Sequence, residues 1–306
     1  MEIVTFVTAE GSGAGPHVGA FVGDAYLVDF QAGASVAADS PLHHQNYFDL
    51  DGPWLRRGMA AHQRLTQVGV DLEAMAESGR CLKRSQVRLL APVPRPGKLI
   101  CIGLNYRDHA AESKMPIPEK PVVFSKFTTA VIAPNDPVVL PPTSEQVDYE
   151  AELAVVIGRR CKNVSASRAY EYVLGYTIIN DVSARDFQFA DGQWQRGKSC
   201  DTFAPMGPSI LTTSEIADPH TLSIKLRLNG KTMQDSNTDQ LIFGVPQLIE
   251  FLSETITLEP GDVIATGTPP GVGFARKPPV FLQSGDMMEV EIEKLGVLRS
   301  PVVAAG

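Results

Sequence analysis

The sequence has no uninterrupted apolar run approaching the roughly 20 residues that a membrane-spanning helix needs, so no helical span is expected. It is also poor in clustered positive charge. The 27 Lys and Arg are outnumbered by 35 Asp and Glu, for a net charge of −8, which argues against a surface for nucleic acid or anionic lipid and suits a divalent cation. The cysteines Cys81, Cys101, Cys161 and Cys200 stand far apart without CxxC spacing, so neither a zinc knuckle nor a disulfide framework is indicated, and they read as reduced thiols. No glycine-rich phosphate loop opens a helix, and the turn Gly267 to Gly273 lacks the Lys-Ser/Thr of a P-loop, so no nucleotide is implied. Met1-Glu2-Ile3-Val4-Thr5-Phe6 is not a basic segment leading into an apolar one, and the expected location is therefore cytoplasmic.

What is present is ordinary globular material, 43% hydrophobic and 20% charged, enough for one large core or two domains. Three prolines and a glycine in Ala91-Pro92-Val93-Pro94-Arg95-Pro96-Gly97 block both helix and sheet, which places a boundary between a small β-rich unit, 1–92, and a larger one, 97–304. In the first unit, apolar runs at 3–7, 17–22 and 25–30 predict strands, Gly23-Asp24 a turn, and 54–77 a helix. In the second, strands are predicted at 98–103, 121–127, 150–157, 174–179, 223–228, 262–266 and 287–293. Asn229-Gly230 predicts a type I′ hairpin, and the apolar spacing of Val245, Leu248, Ile249 and Leu252 a helix. The class expected is α+β, mostly β with some α.

Asp148-Tyr149-Glu150-Ala151-Glu152 carries two glutamates two positions apart on a strand, and period-2 geometry points both to one face. Two carboxylates that close repel unless a cation lies between them, and Mg²⁺ prefers such hard oxygen ligands. Asp181, where the run Tyr176-Thr177-Ile178-Ile179-Asn180 leaves the sheet, is a third candidate ligand. Spacing alone leaves a second reading open, in which the glutamates line a wet strand face and Asp181 caps a turn. His109 and Glu112, at i and i+3, are either an oriented general base or a solvated surface pair. The polar, proline-broken stretch 113–120 after them suits a lid. His17, His43, His44, His62 and His220 show no ligand spacing and read as structural.

Several ordered segments resemble the fumarylacetoacetate hydrolase family. Gly103-Leu104-Asn105-Tyr106-Arg107-Asp108-His109-Ala110-Ala111-Glu112 is similar to its G-x-N-Y-x-x-H-x-x-E segment. Pro121 through Lys126, Asp148 through Gly158, Asn180 through Gln188, Gly197 through Phe203 and Thr266 through Gly273 follow in the family's order, so that the resemblance covers about 97–303. It implies a mixed β-sandwich roll as catalytic domain and a homodimer. It also implies Glu150, Glu152 and Asp181 as metal ligands, His109 and Glu112 as a water-activating dyad, and Lys198 as the electrophilic ammonium. Thr268, in a Gly- and Pro-rich turn, would bind the substrate carboxylate, and Gln188 and Arg185 would line the pocket, with Arg185 also able to pair with Asp186 or another carboxylate.

The reaction expected from this set is Mg²⁺-dependent hydrolysis of a carbon–carbon bond in a 2,4-dioxo acid, an acylpyruvate such as fumarylpyruvate or maleylpyruvate, to pyruvate and a carboxylic acid in aromatic-compound degradation. Mn²⁺ is an acceptable substitute metal. Oxaloacetate decarboxylation or tautomerisation, or diene-dioate isomerisation, is the alternative on the same site, because each passes through an enolate next to a metal-bound oxo group. A non-catalytic metal- or ligand-binding module is the alternative of another class, against which the intact dyad argues.

Overall fold

The computed structural model describes residues 1–8, 15–31, 47–190 and 192–306, so His43 and His44 lie outside the described residues. The fold is mostly β with short helices, as expected. Its largest sheet runs, in hydrogen-bonded order, Leu82–Lys83, Tyr26–Asp29, His17–Val22, Glu2–Thr8, Ala204–Thr212, Val173–Asn180, Ala151–Ile157, Val263–Ala265, Leu99–Gly103 and Val122–Ser125. A five-stranded sheet, Lys231–Asn237, Ser223–Leu228, Met287–Ile292, Gly296–Ala304 and Val138–Leu140, lies against its middle. The central strands Ala151–Ile157 and Val173–Asn180 are buried throughout, which is why they read as continuous apolar runs. Ser223–Leu228 and Met287–Ile292 alternate instead, with Ile224, Leu226, Val290 and Ile292 turned to the core.

Several expectations need correction. The predicted helix over 54–77 is two helices, Pro53–Leu65 and Leu72–Glu77, because Gly69 adopts a φ of +88° between them and the Asp71 side chain accepts from Ala74 N to start the second. Ala204–Thr212 is a central strand that its two prolines and glycine conceal, and the pairing register with Val173–Asn180 shifts where Pro208 falls. The Asn229-Gly230 hairpin forms with both residues at positive φ.

The first strand, Glu2–Thr8, pairs with Ala204–Thr212, Ile3 standing opposite Ile210, so the N-terminal strands extend the large sheet. Ile3, Val18, Ala91, Val93 and Leu99 belong to one core, while Val4, Phe6, Phe21 and Leu27 form a smaller cluster of their own. Sheet and core thus run through both 1–92 and 97–304, and we propose these only as folding units. Among the other histidines, His62 bonds Phe21 O at 2.9 Å, and His220 accepts the N–H of Val245 at the start of the helix Val245–Thr255.

His17 meets Asp29 across adjacent strands at 2.7 Å, and the hydrogen bond to that carboxylate, against the opposing effect of burial, raises the imidazole pKa. A raised folded-state value favours the folded protein below the ordinary imidazole value of about 6.5, and the stabilisation is lost as pH rises through the raised value. In thermal melts, Asp29→Asn is therefore expected to lower Tm more at pH 5.5 than at pH 8.5. An equal loss at both would show that the pair contributes no pH-dependent stability.

Candidate active site

Two antiparallel ladders meet where the site forms. Ala151 stands opposite Asn180 in one, and Val147–Asp148 pairs with Ser183–Ala184 in the other. Between them, Asp181 N donates to Glu150 O at 2.9 Å and Glu150 N donates to the Asn180 side chain at 3.0 Å. Glu150 therefore lies just before the strand rather than inside it as expected, since Ala151–Ile157 begins one residue later. One ligand atom from each of Glu150, Glu152 and Asp181 nonetheless falls within 4.8 Å of the others, and all three residues are buried.

The charges around this triad are buried too. Lys198 Nζ is 2.7 Å from Glu150 Oε2 and 2.7 Å from Asp181 Oδ2, and Lys126 Nζ is 2.5 Å from Asp181 Oδ1. Arg185 bridges Asp148 and Glu150, each at 2.7 Å, and not Asp186, whose carboxylate accepts from Ser144 Oγ and Glu145 N. Four carboxylates thus face three cationic side chains, leaving one negative charge uncompensated away from water. It is felt at Glu152, which meets none of the three cations directly. Burial first, then Asp181 and Glu150, push its carboxyl well above the usual carboxylate range, with Gly267 N–H donating to it at 2.8 Å. Burial also opposes ionisation of Glu150, but Lys198 and Arg185 outweigh it and hold that carboxyl down at about 2. Three hard oxygen donors with surplus negative charge fit a divalent cation, and the triad can bind one.

Lys198 ends the short helix Gln195–Lys198, which packs so closely on Arg185–Ala190 that a Cβ on Gly197 would lie 2.6 Å from Gln188 N. Two of its three ammonium donors are taken by carboxylates, which leaves one for a ligand. Gln188 Oε1 accepts from Arg185 at 3.0 Å, so its amide N–H groups are left to donate. His109 and Glu112 lie on the helix Arg107–Glu112 with Nδ1 and Oε2 3.2 Å apart, and both carboxylate oxygens of Glu112 accept from Gly271 N at 3.1 Å. The dyad is thereby tied to the turn that carries Thr268.

His109, Glu112, Glu150, Glu152, Arg185, Gln188, Lys198 and Thr268 all line one cavity of about 460 Å³, with Asp181 fully buried beside them in the triad. The rings of Phe124, Trp194, Phe189 and Phe274 add apolar walls to this cavity, and Ser113 and Met115 of the 113–120 stretch also line it. Sequence reasoning overlooked Lys126, Asp148 and Gln234. The first two stand inside the segments that resemble the family, and being charged residues in otherwise apolar runs they could have been noticed. Gln234 is buried at the edge of the second sheet and carries no local signal.

A buried carboxylate triad that can bind a divalent metal, beside a histidine–carboxylate pair in one cavity of a mostly β fold, marks this cavity as the candidate active site. The profile described as "Fumarylacetoacetate (FAA) hydrolase C-terminal" matches residues 98–303, and the chain belongs to the fumarylacetoacetate hydrolase family of enzymes. It is 50% identical over 239 residues, 78% of this chain and 76% of the other, to the mitochondrial oxaloacetate tautomerase Fahd2a of Rattus norvegicus. The structure of a fumarylacetoacetate hydrolase from Exiguobacterium antarcticum covers 100% of both chains at TM-score 0.80 and 35% identity. That of 5-carboxymethyl-2-hydroxymuconate delta-isomerase from Mycobacterium smegmatis covers 100% of both at 0.74 and 36%.

Removing one carboxylate tests the charge balance. Glu152→Gln keeps an acceptor for Gly267 N–H, and in metal-free protein it is expected to raise Tm by about 2–4 °C by relieving the repulsion. It should also abolish the upward shift expected in the wild type if Mg²⁺ binds the folded state. A lower metal-free Tm, or an undiminished Mg²⁺ shift, would contradict this.

Proposed function

We propose that this protein is a divalent-metal-dependent oxaloacetate tautomerase, interconverting the keto and enol forms of a small 2-oxo acid. What carries this reading is the single cavity that joins the carboxylate triad to one proton-transfer dyad, in a chain 50% identical to an oxaloacetate tautomerase. Glu150, Glu152 and Asp181 would hold Mg²⁺, with Mn²⁺ as a substitute. A cation bound there supplies Lewis-acid polarisation of the 2-oxo oxygen.

The chain's own groups do the rest. Thr268 and the free amide donors of Gln188 bind carboxylate oxygens, and Arg185, neutralised by Asp148 and Glu150, holds Glu150 in place. Glu112, fixed by Gly271 N–H, orients His109 through Nδ1, which leaves Nε2 to take the proton from the carbon beside the oxo group. The remaining donor of Lys198 stabilises the oxygen where charge gathers, and return of a proton from the His109 imidazolium to that oxygen completes the enol. The apolar faces of Phe124, Trp194, Phe189 and Phe274 line the space in which this transfer takes place.

Acylpyruvate hydrolysis is the second reading, favoured by those same apolar walls, which suit the carbon chain of an acyl group better than a second carboxylate. There His109 would activate a water for attack at C4, and pyruvate would leave. Isomerisation of a diene-dioate, the activity for which a similar Mycobacterium marinum structure is named, would consume no water at this site. Four free cysteines support a reducing compartment, which the cytoplasm provides, and the mitochondrial location in the rat relative's name belongs to that protein. A homodimer is supported by the edge strand Val122–Ser125, where Val122 and Val123 are exposed beside Phe127.

Enol-band absorbance of oxaloacetate, followed with and without Mg²⁺, tests the reading. Metal-dependent acceleration of keto–enol exchange is expected, with His109→Ala slower by about 10²–10⁴-fold. Stoichiometric pyruvate from acetylpyruvate or fumarylpyruvate, with oxaloacetate exchange unaffected by the enzyme, would overturn it in favour of hydrolysis.

A further inference from the structure

Gln234 belongs to the strand Lys231–Asn237, where the ladder to Ser223–Leu228 slips: Leu226 pairs with Gln234 and Arg227 with Thr232. Met233 is the extra residue of this bulge, and so Met233 and Gln234 are both buried where strand alternation would expose one. The bulge grips the turn 268–273 at two points. Met233 O accepts from Arg276, and it lies so near Gly271 that a Cβ there would come within 2.1 Å of it. The Gln234 side chain, with no exposed surface, spans from the triad strand to the same turn: Oε1 accepts from Ala151 N at 2.9 Å, and Nε2 donates to Thr268 Oγ1 and to Pro269 O, both at 2.8 Å.

The orientation of this amide is determined twice. Ala151 N–H can only donate and the Pro269 carbonyl can only accept, so the oxygen must face the first and the nitrogen the second. Thr268 Oγ1 then receives a hydrogen bond from a group that cannot accept one in return, and among the described residues no other acceptor takes its proton. Thr268 lines the cavity. We infer that Gln234 is a positioning residue that makes Thr268 a hydrogen-bond donor toward the bound acid, so that this wall of the site selects an acceptor such as a carboxylate or oxo oxygen. The inference rests on the proposed reading only in taking a 2-oxo acid, or an analogue of one, as the occupant of the cavity.

The test is calorimetric titration of oxalate into Mg²⁺-loaded protein, which reads binding without turnover. Thr268→Val and Gln234→Met are each expected to weaken oxalate roughly tenfold or more, the size of a lost charge-assisted hydrogen bond, with Mg²⁺ affinity within about twofold of wild type. In the Thr268→Val background, Gln234→Met should add less than about twofold, since both changes remove the same donor. Should Gln234→Met not fold, Gln234→Glu takes its place in the cycle: a carboxylate accepts from Ala151 N as before but draws the Thr268 proton inward, and the same loss is expected. Multiplying effects, unchanged oxalate affinity in either single variant, or a parallel loss of Mg²⁺ affinity would overturn the inference. Wild type that binds oxalate but leaves oxaloacetate untouched would overturn the tautomerase reading alone.

Discussion

Buried charge, more than apolar packing, is the constraint on which this structure turns. Asp148, Glu150, Glu152 and Asp181 lie out of water with Lys126, Arg185 and Lys198, and an ion taken from water into a protein interior costs several kcal/mol unless partners meet it. Each cation touches at least one carboxylate within about 2.7 Å, yet the set still carries one surplus negative charge. That surplus gives a divalent cation its place. With the cation bound the cluster turns net positive, the condition in which an organic acid is attracted rather than repelled.

Holding such a cluster requires rigid surroundings, and the fold supplies them from two sheets. Glu152 belongs to the large sheet, with Glu150 and Asp181 at the ends of its two central strands, where main-chain and Asn180 hydrogen bonds fix both. The second sheet reaches the site through the strand Lys231–Asn237. Its Gln234 ties Ala151 to Thr268, and its Ser236 hydroxyl donates to Asp108 at the start of the dyad helix. The triad strand, the helix of His109 and Glu112 and the turn of Thr268 are thereby linked by hydrogen bonds, which suits a site whose groups must be held within hydrogen-bond reach of a substrate.

Much of this was legible from residue types and order. Glu150, Glu152 and Asp181 stood out because carboxylates are out of place beside apolar strands, and the structure brings their oxygens together although Glu150 falls outside the strand. Ser223–Leu228 and Met287–Ile292 form where the sequence predicts strands, at 223–228 and 287–293. The strand Ala204–Thr212 was not legible, because its prolines and glycine signal a break that only its neighbours on both sides overrule. Gln234 was hidden for a different reason: its partners Ala151 and Thr268 are 83 and 34 residues away in the chain, and no local pattern encodes such pairings. The same holds for the choice by Arg185 of Asp148 over its neighbour Asp186.

The most direct measurement of the central claim is anomalous diffraction from crystals grown with Mn²⁺, which replaces Mg²⁺ at hard oxygen sites. The expected result is a peak bonded to one oxygen each of Glu150, Glu152 and Asp181, at about 2.0–2.2 Å. Lys198 Nζ would then be withdrawn from at least one of its two carboxylate partners. Mn²⁺ bound elsewhere, with Lys198 still on both Glu150 and Asp181, would contradict the account that surplus carboxylate charge exists to hold a cation.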